Sequence, residues 1–454
     1  MMRIFRHKWF LLAFSAIILL VGFTSKSWKI HQEYPYQFTY RNDVNQYYCY
    51  LPALFIYKDL SFKFKNDRLY WLTEDENWVA LPKMTMGMSL LYSPFFIVGH
   101  AVAKVSSFPA DGYSLPYSYS IRIGTYIYVS IALYLLYLSL LRFFKPWVSA
   151  ASIFLIFAST NLFYYSVGEA EMSHSYLFFL YSVIIYNTLK WNEQKKNKNL
   201  ILLSLSMGMC VLIRPTSILF SSLPLIYLFW TKDNRRWVLN HVIVLLFSLI
   251  IFLFPIFLQM LFWKVYGSGW IRWSYRNEGF FFDNPHVLEF IFGYRNGWLL
   301  YTPLMAFALI SIFVLPQKLK RMKYAVLFIL PCAIYILSSW WCWWFGGSYG
   351  SRAMIEFYAL LVFPLAAGIQ FISKYNYSKY LFFILFVGTS FYNVWGMHKK
   401  TNHELHWDSM SKEAFWYTFS RLKLEGEERD ELESLYKQPD YENARKGLVE
   451  REMD

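Results

Sequence analysis

Long apolar segments, separated by short polar stretches, recur along this chain as far as about residue 397. A helix needs roughly 20 apolar residues to cross the hydrocarbon core of a bilayer, and most of these segments approach that length. The pattern predicts an all-α polytopic membrane protein with about eleven transmembrane helices. The predicted spans are 9–24, 121–141, 147–166, 175–189, 200–213, 217–230, 238–263, 298–315, 324–339, 353–371 and 380–397.

Basic residues assign a side of the membrane to each polar segment. Six segments together carry eighteen Lys or Arg residues but only two acidic residues: 1–8, 142–146, 190–199, 231–237, 316–323 and 372–379. Because cytoplasmic loops are enriched in Lys and Arg, we place all six in the cytoplasm. The N-terminus is then cytoplasmic, with 9–24 as a retained anchor. The segments predicted to be external are 25–83, 167–174, 264–297, 340–352 and the polar tail 398–454.

Two apolar segments do not fit a simple count of crossings. A crossing at 84–105 would invert the basic loops, so we expect this segment to enter the membrane without crossing it. One long helix over 200–230 would invert them too, so Arg214-Pro215 is predicted to be a turn, since proline cannot donate to the helical ladder. Each arm of about 14 residues spans roughly 21 Å, short of the roughly 30 Å core. The turn is therefore expected at membrane depth, lining a cavity.

Composition narrows the function classes. Apolar residues make up 56% of the chain, and the formal charge is +14. In a soluble protein this positive charge would suggest binding to nucleic acid. Here the enrichment of Lys and Arg in cytoplasmic loops explains the charge, so no nucleic-acid partner is predicted. The four cysteines lack metal-type spacing, and we do not expect a Cys49–Cys342 disulfide. The composition suits a bacterial inner (cytoplasmic) membrane, with a periplasmic C-terminus.

The first candidate for chemistry is Asp43, which follows the first span in a Tyr-rich stretch with Tyr47 and Tyr48. Partial shielding from water would raise the basicity of this carboxylate, and it could take a proton from an acceptor hydroxyl or amine. The alternative is that Asp43 only caps the helix that follows.

A second candidate is the acidic turn formed by Glu169, Glu171 and His174. This cluster could polarise an acceptor, hydrogen-bond a sugar or hold a divalent cation. Metal binding is the weakest of these hypotheses, because the spacing of the two glutamates and the histidine is far less specific than an HExxH helix. The alternative is a solvated turn capped by Ser173.

Arginines predicted to be external, or at membrane depth, supply positive charge for an anionic substrate. A guanidinium can bind a phosphate through two hydrogen bonds and stays charged, and an Arg near bilayer depth is a functional candidate. For Arg352 the alternative is an ion pair with Glu356, one turn later. The candidate phosphate-binding residues are Arg214, Arg272, Arg295 and Arg352, with Arg276 nearby.

An aromatic and glycine-rich stretch precedes Arg352. Its residues Trp343, Trp344 and Tyr349 could stack on sugar faces or cradle an isoprenoid chain. Three glycines would let the backbone approach a ligand closely: Gly346, Gly347 and Gly350. The alternative is an aromatic belt at the membrane interface, followed by a turn into the next span.

The order of these features resembles the GT-C membrane glycosyltransferases, in particular bacterial relatives of protein O-mannosyltransferases and of the aminoarabinose transferase of lipid A. The chain departs from the mannosyltransferase pattern where Val44, rather than an acid, follows Asp43. The resemblance covers about residues 1–397 and rests on Asp43, the Pro-containing segment 84–105, the acidic turn 169–174, YRNGWLLYTP at 294–303 and WWFGGSYGSR at 343–352.

This resemblance implies a GT-C-like bundle with a structured first external loop. The catalytic module would span 1–397, including the external loops 25–83 and 264–297, and 398–454 would form a polar external tail. The implied reaction is inverting transfer of a sugar from a polyprenyl-phosphate donor to a protein, lipid or glycan acceptor at the periplasmic face. No cofactor is implied with certainty, and a divalent cation stays open.

The resemblance also implies roles for the candidate residues. Asp43 would be the general base, with Glu171 and His174 as further catalytic candidates. The four arginines would hold the carrier phosphate, and the aromatic residues would line a groove for sugar and lipid: Tyr47, Tyr48, Trp343, Trp344 and Tyr349.

Two other function classes stay open. A secondary transporter or a lipid or glycan flippase also uses buried charges and broken helices. Such a protein should line a route through the midplane, whereas the candidates here concentrate on one face and no internal repeat is seen. A non-catalytic scaffold of envelope assembly would tolerate replacement of Asp43 and Arg352.

Overall fold

The computed structural model describes residues 14–24, 42–63, 72–74 and 80–448. The basic segment 1–8, part of the predicted anchor and much of the first loop lie outside these residues. Within them, all secondary structure is helical except one short β-ladder and one isolated β-bridge between Phe280 and Trp340, which confirms an all-α polytopic membrane protein. The ladder is antiparallel and pairs Thr73–Glu74 with Ala80–Leu81.

Six helices among the described residues are long and apolar enough to cross a membrane: Gly87–Val105, Leu115–Leu140, Val242–Tyr266, Gln317–Ser338, Arg352–Ile372 and Tyr380–Thr401. Five shorter apolar helices accompany them: Phe14–Thr24, Pro146–Ala158, Asn197–Ile213, Pro215–Phe229 and Leu304–Val314. Helix Ser173–Gln194 lies where the span 175–189 was predicted.

The remaining helical elements are short and lie between the longer helices or in the C-terminal segment. They are Asn42–Tyr48, Tyr50–Pro52, the π-helix Ala53–Tyr57, Leu162–Val167, Lys232–Asn240, Val287–Phe292, Trp298–Tyr301, Lys412–Phe419, Glu427–Ser434 and Tyr441–Arg445. Two predicted spans are interrupted by polar residues or proline. Ser159-Thr160-Asn161 follows the helix that ends at Ala158, and Thr302-Pro303 precedes the helix that begins at Leu304.

The predicted turn at Arg214-Pro215 is confirmed. Helix Asn197–Ile213 ends at Arg214, whose backbone is extended, with φ −147° and ψ 108°. A 3-10 helix begins at Pro215, whose ring nitrogen has no hydrogen to donate to the preceding turn. The depth of this turn in a membrane stays a prediction.

The segment predicted to enter the membrane without crossing forms the continuous helix Gly87–Val105. Its length and apolar composition would allow it to cross, so they do not by themselves support partial entry. Residues of the first loop pack along this helix, as in the contacts of the Tyr48 ring with Tyr92 and Phe96. Partial entry therefore stays a prediction based on the charges of the loops.

The chain divides into two compact units, residues 1–136 with 165–276 and residues 137–164 with 277–454. In the first unit, helix Asn197–Ile213 packs against Ser173–Gln194 and Val242–Tyr266. A Cβ atom at Gly208 would lie 2.2 Å from the carbonyl oxygen of Phe252, so only glycine permits this close approach.

In the second unit, helix Tyr358–Ile372 is almost entirely buried and packs against Pro146–Ala158 and Leu304–Ile310. The segment after residue 397, expected to be a polar tail, contributes to a buried cluster in the same unit. The cluster consists of Tyr301, Tyr349, Leu405, Met410, Ala414, Phe415, Leu424 and Leu432.

Candidate functional site

A buried ion pair fixes the acidic turn in the first unit. Arg122 and Glu171 are both fully buried, and Arg122 Nε lies 3.5 Å from Glu171 Oε1. Arg122 Nη2 also donates to the carbonyl oxygen of Val167 at 2.5 Å. Two charges removed from water in this way depend on each other, because losing either one leaves the other buried. The alternative of a solvated turn is therefore wrong for Glu171.

Neighbouring hydroxyl groups also hold the acidic turn. Thr125 Oγ1 donates to the carbonyl oxygen of Ala170 at 2.7 Å and lies 2.7 Å from the hydroxyl of Tyr176. The hydroxyl of Tyr92 donates to the carbonyl oxygen of Glu171. Helices Gly87–Val105 and Leu115–Leu140 therefore both fix the position of this turn.

The other two residues of the predicted cluster have different surroundings. His174 is 1% exposed, and its ring centroid lies 5.5 Å from that of Tyr165. Glu169 is half-buried, and Ser173 begins the next helix without capping it. Across the described part of the chain, no three His, Cys, Asp or Glu side chains are grouped to hold a metal ion. Glu169, Glu171 and His174 thus do not form a ligand set here.

Asp43 lies in the first turn of helix Asn42–Tyr48, and its side chain is half-buried. A negative charge is favoured at this end of a helix, because the helix dipole is positive there. This helix is fixed to a neighbouring helix, since Ser89 Oγ donates to the carbonyl oxygen of Tyr47. Asp43 is therefore partly accessible on an anchored element.

Tyr48 links the Asp43 helix to the acidic turn. Its hydroxyl donates to the carbonyl oxygen of Gly112, and its ring lies 6.4 Å from that of Tyr92. Tyr92 in turn donates to Glu171. Asp43 and Glu171 thus lie on segments that share Tyr92 as a packing partner.

Lys83 and Arg272 lie on segments that pack together. Ser274 Oγ donates to the carbonyl oxygen of Lys83 at 2.6 Å, and Lys83 Nζ lies 4.7 Å from the ring centroid of Tyr275. Burial raises the pKa of Tyr50 well above its usual value, and the positive charge of Arg272 acts in the opposite direction. The charge of Arg272 therefore acts close to the first loop.

The residues just before the Arg214 turn contact Thr85 and Gly87, which follow Lys83 in the chain. Thr85 Oγ1 donates to the carbonyl oxygen of Leu212 at 2.5 Å. A Cβ atom at Gly87 would lie 2.7 Å from Ile213 Cγ1, so the two backbones pass very close to each other. The residues just before Arg214 are thereby packed against the start of helix Gly87–Val105.

Three basic residues thus lie on segments that meet at the N-terminal end of one helix. We name Lys83, Arg214 and Arg272 the cationic cluster. The helix N-terminus adds partial positive charge from its dipole. A helix N-terminus with lysine and arginine on neighbouring segments is a combination that can bind a phosphate group, and this role stays a prediction for the cluster.

The aromatic residues predicted to line a groove are buried. Trp343, Trp344 and Tyr349 in the second unit are at most 5% exposed, as are Tyr47 and Tyr48 in the first unit. None of these five rings offers an open face to a sugar in this conformation. Their groove-lining role stays a prediction, whereas packing is the role that their burial supports.

Asn161 holds the end of the aromatic loop. Its Nδ2 donates to the carbonyl oxygen of Tyr349 at 3.1 Å, and its Oδ1 accepts from the hydroxyl of Tyr358 at 2.8 Å. Arg352 begins a 3-10 helix directly after the loop and is half-buried, whereas Glu356 is fully buried. The Asn161 side chain therefore holds the backbone just before Arg352.

Arg295 and Asn296 bind the C-terminal segment. Arg295 Nη2 donates to the carbonyl oxygen of Lys437 at 2.9 Å, and its guanidinium lies 5.5 Å from the ring centroid of Trp344. Asn296 Nδ2 donates to the carbonyl oxygen of Trp407 at 3.0 Å. These contacts give Arg295 a structural partner, where phosphate binding was predicted.

An open apolar groove of about 420 Å³ lies in the second unit. Its largely apolar walls would suit a lipid chain, from the bilayer or from a carrier. The lining residues are Leu299, Leu300, Pro303, Ile384, Gly388, Thr389 and Tyr392.

Residues 117–263 match the family model described as dolichyl-phosphate-mannose-protein mannosyltransferase. Within these residues the predicted resemblance to the protein mannosyltransferases is confirmed. The match covers less than half of the chain and includes Arg122, Glu171 and Arg214. It indicates glycosyltransferase activity in a multi-pass membrane protein. No curated protein and no solved structure matches the chain.

Three residues of these sites were missed from the sequence. Arg122 is a lone arginine at the start of a predicted span, and such residues mark functional or pairing positions. Lys83 is the last residue of the predicted first loop, and nothing in the sequence around it pointed to a particular role. Asn161 lies in a run of polar residues inside a predicted span, which was a signal of helix interruption.

Proposed function

We propose that this protein transfers a sugar from a polyprenyl-phosphate carrier to an acceptor hydroxyl or amine at the external face of the membrane, with inversion at the anomeric carbon. The observation that carries the proposal is that the segments bearing Lys83, Arg214 and Arg272 pack against one another around the start of helix Gly87–Val105. The same helix anchors Asp43 through Ser89 and the acidic turn through Tyr92. The family match supports the same reaction class.

The negative charge on the carrier phosphate increases during the reaction, so the cationic cluster would both bind the donor and accelerate its cleavage. A sugar joined to a polyprenyl phosphate is a phosphodiester, which carries about one negative charge. When the bond to the sugar breaks, the phosphate becomes a monoester with roughly −1.5 to −2 charges. Positive groups of the cluster would therefore stabilise the transition state and the leaving group more than the bound donor.

Asp43 is the proposed general base. The acceptor oxygen or nitrogen attacks the anomeric carbon on the face opposite the phosphate, and a new glycosidic bond forms. The bond from the anomeric carbon to the phosphate oxygen breaks, and its electron pair leaves with polyprenyl phosphate. The proton of the acceptor passes to the Asp43 carboxylate, which is half-buried and therefore reachable.

Glu171 has a different proposed role, because it is buried and already paired. Its carboxylate lies beside the Arg122 guanidinium, and its carbonyl oxygen accepts from Tyr92. A carboxylate held in this way is suited to positioning the turn rather than to accepting a proton from a substrate. His174, packed against Tyr165, has the same positioning role.

The proposal is tested by incubating the purified protein with a panel of polyprenyl-phosphate sugars and measuring the release of polyprenyl phosphate. Asp43→Asn removes the proposed base, and Asp59→Asn is the matched control. Asp59 also belongs to the first loop, but its Oδ1 accepts from the backbone of Ser61, a bond that asparagine can keep.

We expect release by the wild type and by Asp59→Asn, with a loss of about 10²–10⁴-fold for Asp43→Asn. Equal rates for the two variants would overturn the assignment of the base. Absence of release from every donor would overturn the proposed reaction.

A further inference from the structure

The segment 402–448 packs against the loop that precedes Arg352. Ser348 N donates to the carbonyl oxygen of Trp407 at 3.4 Å. A Cβ atom at Gly346 would lie 3.3 Å from the hydroxyl of Tyr441 and 3.8 Å from Asp408 Cβ. The glycine-rich part of the loop is therefore in direct contact with residues some 60 to 95 positions later in the chain.

Asp408 is the centre of a hydrogen-bond cluster in this contact. It is 2% exposed, and its carboxylate accepts from the hydroxyl of Tyr441 and from Ser409 Oγ at 2.7 Å. His406 Nδ1 lies 3.0 Å from Asp408 Oδ1. Burial alone would raise the pKa of Asp408, but the hydrogen bonds from these three side chains outweigh it and lower that pKa.

Tyr441 is held both by its hydroxyl and by its ring. Burial and the Asp408 carboxylate both raise its pKa well above the usual value. The hydroxyl therefore stays protonated and donates a hydrogen bond to Asp408. The ring centroid lies 6.1 Å from that of Trp341 and 5.9 Å from that of Trp344. Arg445 lies 5.1 Å from the ring centroid of Trp341 and extends the same contact.

The loop needs such support because its backbone is strained. Phe345 has φ +49° and Gly347 has φ +76°. Left-handed backbone suits glycine, but a bulky residue in this region is an outlier that persists only when its surroundings hold it. The contacts made by Trp407, Asp408 and Tyr441 are immediately next to these two residues.

We propose that Asp408 and Tyr441 are positioning residues, which fix the loop 345–350 and thereby the backbone that leads into Arg352, a further candidate for binding the anionic donor. The part of this inference that concerns Arg352 rests on the proposed function. Fixing of the loop does not depend on it. A segment far along the chain then sets how firmly the backbone before Arg352 is held, and with it the affinity of Arg352 for an anionic group.

The test compares Tyr441→Phe with Tyr417→Phe. Each variant removes one hydroxyl that donates to a carboxylate and keeps the ring. The Tyr417 hydroxyl donates to Glu431 at 2.6 Å in an exposed hydrogen bond, so its removal leaves the bonds of Asp408 in place. Asp408→Asn is a second variant, which removes the charge and keeps the size of the side chain.

The first readout is hydrogen exchange of the amides of 345–350 in the intact protein in detergent. Because a hydrogen bond to a charged group is lost, we expect about 10- to 100-fold faster exchange in Tyr441→Phe and faster exchange in Asp408→Asn. Tyr417→Phe should exchange like the wild type. Unchanged exchange in both Tyr441→Phe and Asp408→Asn would overturn the inference, whatever the activity of the protein.

The second readout separates positioning from general destabilisation. With an active wild type, we expect the KM for the polyprenyl-phosphate sugar to rise about tenfold in Tyr441→Phe, with a smaller change in kcat. Faster exchange with an unchanged KM would overturn the role in donor binding. A wild type without transfer activity would contradict the proposed function, and hydrogen exchange would still decide whether the loop is held.

Discussion

Arg122→Met removes the positive charge that the structure pairs with Glu171 and keeps a long apolar side chain. Both groups are fully buried at a separation of 3.5 Å. Removing one partner of a buried ion pair costs about 3–5 kcal/mol, because the other charge stays in surroundings of low polarity. At about 2–4 °C per kcal/mol, the apparent melting temperature should fall by roughly 6–20 °C.

A double variant shows whether the loss arises from the buried charge. Replacing both partners by apolar residues is often neutral or stabilising, so Arg122→Met with Glu171→Leu should recover most of the lost stability. The variant Lys399→Met is the reference, since it breaks the buried pair of Lys399 with Glu404 in the second unit.

The assay is thermal unfolding in detergent, followed by intrinsic tryptophan fluorescence for the wild type, the single variants and the double variant. Lys399→Met should show a fall similar to that of Arg122→Met. A melting temperature of Arg122→Met close to that of the wild type would refute the predicted cost of the unpaired Glu171 charge. A double variant no more stable than Arg122→Met would refute it as well.

Three further predictions concern other parts of the molecule. Arg272→Gln should raise the KM for the donor about 10- to 100-fold by weakening one charged contact, as steady-state kinetics would show, and an unchanged KM would remove Arg272 from the cationic cluster. Gly208→Ala should lower the melting temperature, because its Cβ would lie 2.2 Å from the carbonyl oxygen of Phe252; a stable variant would contradict this packing. The pKa of Asp408 is lowered in the folded protein. The stabilisation by its ionised carboxylate is therefore fully present above the ordinary pKa of about 3.9 and is lost only as the pH falls through the lower pKa of the folded protein. Exchange of the loop 345–350, corrected for the intrinsic rate, should therefore be equal at about pH 7 and pH 5, and loss of protection at pH 5 would contradict the assignment.

The helices and the main turn could be predicted from local physics. Apolar runs of sufficient length predict helices, and Pro215 cannot continue the helix that precedes it. The two units and the pairing of Arg122 with Glu171 could not be predicted, because such contacts depend on the packing of elements that are distant in the sequence.

The burial of the aromatic residues and of the C-terminal segment also could not be predicted from the sequence. Composition identified Trp343 and Trp344 as candidates, but it does not reveal which rings are buried, and both are. In the tail, residues such as Leu405 and Phe415 are apolar but scattered among many charges. Their burial depends on a partner surface around Tyr301 and Tyr349, which a periodicity within the tail alone does not show.

The proposed reaction requires that the protein cleave the bond between a sugar and a polyprenyl phosphate. The most direct test is mass spectrometry of the lipid after incubation of the reconstituted protein with a polyprenyl-phosphate sugar and an acceptor. We expect polyprenyl monophosphate, together with an acceptor heavier by one sugar residue. Recovery of the intact donor, moved across the membrane or not, would contradict it.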